Sequence, residues 1–87
     1  MMLRIYCVKD SATQMFGNPM FMLATGQAIR SFSDEVNRSG GDNQLYQHPD
    51  DFELYELGVY DGNRGCFETH DPILVVRGKD LKNASQS

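Results

Sequence analysis

The stretch from Thr25 to Asn37 constrains this chain more than any other, because only there do apolar residues recur at helical spacing. Ala28, Ile29, Phe32 and Val36 form a stripe, Arg30, Ser33, Asp34 and Glu35 fill the other faces, and Thr25 stands where an N-cap belongs. The stripe ends near Asn37, since Arg38-Ser39-Gly40-Gly41-Asp42-Asn43 is too rich in turn formers to stay helical. A single amphipathic helix has to bury its stripe against something, and the other ordered stretches read as strands. Phe32 is the expected central core residue, and Phe32→Ala should cost about 3–5 kcal/mol.

Met2 to Val8 sets Leu3, Ile5 and Cys7 against Arg4, Tyr6 and Val8, the period of a strand with one face buried. Lys9 to Pro19 ends in Gly17-Asn18-Pro19 and reads as a loop, leading into the short apolar run Met20 to Leu23, a brief strand or a buried lead-in. Within Leu45 to Asp51, Pro49 holds His48 extended and can start a short helical turn. Alternation returns from Phe52 to Tyr60, Asp61-Gly62-Asn63-Arg64-Gly65 turns the chain into Cys66-Phe67-Glu68 as a hairpin, and Pro72 to Val76 forms the last strand. The expected fold is α+β, a small three- to four-stranded antiparallel or mixed sheet with one packed helix. It occupies a single domain over residues 1–78, with residues 79–87 as a flexible C-terminal tail.

Charge is distributed unevenly. Residues 1–41 carry four basic and three acidic groups, residues 42–71 one and eight, and residues 72–87 three and one. An acidic middle repels a polyanion, so nucleic acid could be held only on a face assembled from the two ends. Eighty-seven residues bury one modest core, which makes dimerisation an attractive way to cover more surface. The N-terminal segment has Arg4, Lys9 and Asp10 breaking any apolar run, so neither a signal peptide nor a membrane span is expected. Cys7 and Cys66 sit inside strand-like runs and read as buried thiols, not as a disulfide.

Catalytic equipment is not expected. Ser11, Ser31 and Ser33 lack a nucleophile-elbow context, and no phosphate-binding glycine motif occurs. His48, Asp50 and Asp51, with His70 and Asp71 elsewhere, match no ligand spacing for a metal, and a capped surface turn is the better reading. No cofactor is implied. Arg30 and Asp34 are placed to pair at i,i+4, unless Arg30 is free for a phosphate. Tyrosines beside cations could stack bases, although tyrosines on a half-buried sheet usually pack.

Two motifs are specific. Ala28-Ile29-Arg30-Ser31-Phe32-Ser33-Asp34, followed by His48-Pro49-Asp50-Asp51-Phe52-Glu53-Leu54, resembles the small nonstructural protein of gokushovirus-type microviruses, which are single-stranded DNA bacteriophages. The resemblance spans about residues 3–76 and departs from the pattern at Gly40-Gly41 and in the tail. It implies an accessory protein made in the host bacterial cytoplasm, absent from the mature capsid and acting in viral DNA synthesis through DNA binding. It certifies no individual site residue. The binding set drawn from the residues themselves is Arg4, Lys9, Arg30, Arg77 and Lys79 on phosphates, with Tyr6 or Tyr55 stacking on bases. The alternative is a protein-interaction module, dimerising and docking through its acidic middle on a basic replication, scaffolding or packaging protein.

Overall fold

A computed structural model describes residues 1–82. Its elements, in chain order, are β1 (Met2–Asp10), β2 (Met15–Phe16), β3 (Met20–Met22), α1 (Thr25–Val36), α2 (Gln44–Gln47), a 3₁₀ turn (Pro49–Asp51), β4 (Phe52–Asp61), β5 (Cys66–Arg77) and α3 (Gly78–Leu81). All strand pairs are antiparallel. The sheet runs β2-β1-β4-β5, with β3 also pairing with β1.

This corrects the expectation of three or four strands and one helix. The sheet has five strands curled into a half-barrel, and several short helices accompany α1. β2 comes from the stretch read as a loop, and β3 from the Met20 to Leu23 run, where a brief strand was one of two readings. Strands of two and three residues carry no periodicity of their own, and β1 specifies them by pairing Lys9 with Phe16 and Ile5 with Phe21. At the other end, the two runs expected around Pro72 are one twelve-residue strand. Pro72 is tolerated there because β5 is an edge strand and the residue falls, without a β4 partner, in the register shift between Thr69 and Ile73.

The curl has a local cause. Register shifts interrupt the β1–β4 ladder at Ile5/Tyr6 and the β4–β5 ladder at two places, and bulges of this kind bend a strand and increase its twist. Gly58 sits among them with φ +148°, and a Cβ there would lie 2.3 Å from the Glu68 carbonyl oxygen. Only glycine fits so close an approach.

The main core cluster lies on the helix-bearing face. Tyr6 of β1 and Leu54 of β4 meet Ala28, Phe32 and Val36 of α1, with Val8, Met20, Phe52 and Val76 packed around them. Thr25 begins α1 but does not cap it. Its hydroxyl is 2.6 Å from that of Tyr6, satisfying the one polar atom that Tyr6 carries into the core. The helix entry is tied instead by Gln27, whose Oε1 accepts the Leu23 N–H. At the far end, buried Asn43 donates to the Glu35 and Arg38 carbonyls and accepts the Leu45 N–H, closing α1 and opening α2 with one side chain.

Residues 79–82, read from sequence as the start of a tail, pack onto this end. Leu81 joins the core, Asn37 donates to its carbonyl, and the Lys82 ammonium lies over the Tyr46 ring while donating to the Tyr46 carbonyl. Residues 83–87 of the expected tail lie outside the described residues.

Candidate functional site

Alternation along a strand assigns each paired residue to one of two faces. The helix side takes Arg4, Tyr6 and Val8 from β1, with their partners Met20, Met22, Leu54 and Glu56. The opposite, open side takes Leu3, Ile5, Cys7 and Lys9 from β1. The partners brought there are Phe16, Phe21, Tyr55 and Tyr60, and β5 adds Phe67, Leu74 and Arg77.

Five aromatic rings therefore share a surface with two cations. Phe16, Phe21 and Phe67 are 42%, 44% and 61% exposed. Phe16 meets Tyr55 edge-on at 5.5 Å between centroids, and Tyr60 meets Phe67 at 5.1 Å. The Lys9 ammonium lies 5.3 Å from the Phe16 centroid and 5.8 Å from that of Tyr55.

Two turns set this arrangement. After β1, the Asp10 carboxylate accepts the Ala12 and Thr13 N–H groups, and Gln14 takes φ 64°, returning the chain so that Phe16 lands beside Lys9. After β4, the Asp61 carboxylate accepts the Asn63 and Arg64 N–H groups and Gly65 takes φ +66°, which sets Phe67 opposite Tyr60.

The electrostatics of the open face differ from those of the chain as a whole. Among the paired positions, Glu53 is the one carboxylate on this side, whereas Glu56 and Glu68 fall on the helix side. Glu53 is itself engaged, 3.6 Å from the Arg77 guanidinium and accepting the Tyr55 hydroxyl at 3.0 Å. Burial, and then that hydrogen bond, hold the Tyr55 hydroxyl above its usual range, so it stays a donor. Lys9 makes no ion pair among the described residues. Of the four paired carboxylates of the acidic middle, three, Glu56, Asp61 and Glu68, are thus turned away from the rings.

Of the residues singled out by sequence, Lys9, Tyr55 and Arg77 come together here. The other four do not. Tyr6 is fully buried and hydroxyl-bonded to Thr25, so it can stack on no base. Arg4 is on the helix side, paired with Glu56 at 3.4 Å. Arg30 is exposed on α1, without an ion pair to Asp34, beside a cleft of about 930 Å³ floored by Met20, Met22 and Phe32. Lys79 is exposed on α3. Sequence reasoning missed Phe16, Phe21 and Phe67, and left Tyr60, one of the tyrosines weighed for stacking, out of the binding set. The hairpin turn already implied the Tyr60–Phe67 pairing, whereas nothing local marked the other two.

Among the described residues no group of three or more His, Cys, Asp or Glu side chains is placed to hold a metal, and no helix is long and apolar enough to cross a membrane. No solved structure matches the chain. Protein ORF5 of Chlamydia phage 1 is 30% identical over 74 residues, covering 82% of this chain and 76% of that protein. The family model described as Phage ORF5 protein matches residues 3–81. The resemblance drawn from the Ala28–Asp34 and His48–Leu54 motifs is upheld: the chain is a small accessory protein of microvirus-type bacteriophages, and it belongs to the Phage ORF5 protein family.

Proposed function

We propose that this phage protein binds single-stranded DNA on the open face of its sheet, serving viral genome synthesis in the host bacterial cytoplasm. The observation that carries the reading is the group of exposed rings, Phe16, Phe21 and Phe67, joined by Tyr55 and Tyr60 and flanked by Lys9 and Arg77. Rings on a sheet accept the faces of bases of any sequence, and each stacked base is worth about 1–3 kcal/mol. The cations supply little more than orientation. Two phosphate contacts on a single strand give a salt slope of about −1.4, so affinity should fall about sevenfold from about 50 to 200 mM salt.

The test is fluorescence polarization of a labelled single strand at those two salt concentrations. Binding with the shallow slope, weakened on Phe67→Ala, supports the reading. No binding at low salt with micromolar protein, or a slope several times steeper, argues against it. Equal binding of an RNA oligomer would widen the ligand to single strands in general.

The protein-interaction reading, made on the acidic middle and the sheet edges, gains the same exposed rings as a surface for a second copy to cover. It is favoured if the wild type is dimeric and the Phe67→Ala variant monomeric in sedimentation, with no affinity for DNA.

A further inference from the structure

The rings of the open face form two groups. Phe21, Tyr60 and Phe67 gather at the hairpin end, with centroids 5.1–6.3 Å apart. They edge a hollow of about 560 Å³ that also touches Leu3 and Gly65. Phe16 and Tyr55 gather at the other end, beside Lys9. Leu3 is opposite Tyr60 and Cys7 opposite Tyr55, so the groups are four residue steps apart along β1. At the rise of a strand that is on the order of 13 Å. The one β1 position between them on this face, Ile5, is buried and aliphatic, and its β4 partner is Gly58.

We infer that the open face holds two separate base-stacking stations that one DNA strand must bridge. The inference rests on the single-stranded DNA reading given above. One base enters the hollow against Phe67 and Tyr60, and another lies on Phe16 and Tyr55. Stacked bases rise about 3.4 Å each, so 13 Å spans about four steps and full engagement needs about five nucleotides. The stations also differ in charge. Arg77 and Arg64 are each engaged by a carboxylate, Glu53 at 3.6 Å and Glu68 at 3.5 Å, whereas Lys9, without an ion pair among the described residues, stands at the Phe16–Tyr55 end. Salt dependence therefore belongs to one station, and the other binds by stacking alone.

The experiment titrates the full chain with oligothymidylates of two, four, six and eight nucleotides, for wild type, Phe67→Ala, Phe67→Leu and Lys9→Ala. For wild type, affinity should step up by at least about fivefold between four and six nucleotides, the low end for one stacked base, and then level off. Phe67→Ala and Phe67→Leu should both remove the step while leaving the shortest oligomers and the salt slope unchanged. Lys9→Ala should lower the salt slope at every length and keep the step. Because Phe67 is exposed, its replacement leaves the core intact, and an unchanged thermal melt verifies this. A smooth rise with length, or the same loss in all variants at every length, overturns the two stations while leaving DNA binding in place. Absence of binding at all lengths overturns the DNA reading itself, and the stations with it.

Discussion

Replacing Gly58 with alanine tests how the open face is shaped. Its φ of +148° is a conformation that an L-residue holds only under strain, at about 1–3 kcal/mol. The added Cβ would also lie 2.3 Å from the Glu68 carbonyl oxygen and 2.7 Å from the Thr69 Cα, both backbone atoms. Ordinary contact is restored only if β4 and β5 part by about 1 Å, which takes a neighbouring ladder bond out of range and removes about another 1 kcal/mol. The total is roughly 2–4 kcal/mol, a large share of the 5–15 kcal/mol typical of a whole domain. Gly65→Ala is the control. That residue also has positive φ, +66°, but an added Cβ there meets nothing within 4 Å, so only the left-handed penalty of about 1 kcal/mol applies. Urea unfolding of both variants gives the comparison. If Gly58→Ala is no worse than Gly65→Ala, the close approach of β5 to β4 is wrong, and with it the seating of Tyr60 and Phe67 on one curved face.

Further outcomes follow from other parts of the structure. Asn43→Ala takes the side-chain partner from the Arg38 carbonyl and from the Leu45 N–H of α2, while the Glu35 carbonyl keeps the Arg38 N–H, and should cost about 2–3 kcal/mol in the same assay. The His70 pKa is raised above 6.5, first by the bond of its ring to the Asp71 carbonyl and then by Glu56. The protonated form therefore favours the fold: the stabilisation is complete below pH 6.5 and is lost as pH rises through the raised folded-state value. Thermal melts across that window should drift downward in the wild type, and this part of the drift should vanish in His70→Asn. Native protein should take up a thiol reagent at Cys66 alone, because Cys7 is fully buried and burial raises its thiol pKa. Two equivalents consumed without denaturant would contradict that placement.

The helix, β1, β4 and the Asp61–Gly65 hairpin were legible because each has a period or a turn signal that needs no distant partner, whereas β5 was read as two shorter runs. Ala28, Phe32 and Val36 are all buried, as their spacing implies. What was not legible depends on pairing across the chain. Phe16 and Phe21 lie in strands too short to have a pattern, and only their partners Lys9 and Ile5 bring them onto the open face. Tyr6 was misjudged for a related reason. Its alternation with Ile5 and Cys7 showed two faces, but only the position of α1 decided which face carried the main core. Arg4, Arg30 and Lys79 were selected by charge alone, and charge says nothing about which side of a sheet a residue occupies. The Lys82–Tyr46 contact pins residues whose polar composition had suggested fraying.

The most direct test of the central claim is a map of backbone amide shift changes as single-stranded DNA is added to labelled protein. The open-face reading predicts changes concentrated at Lys9, Phe16, Phe21, Tyr55, Tyr60 and Phe67, with α1 unaffected. Changes centred on Arg30 and the cleft beside α1, or none at saturating DNA, would contradict it.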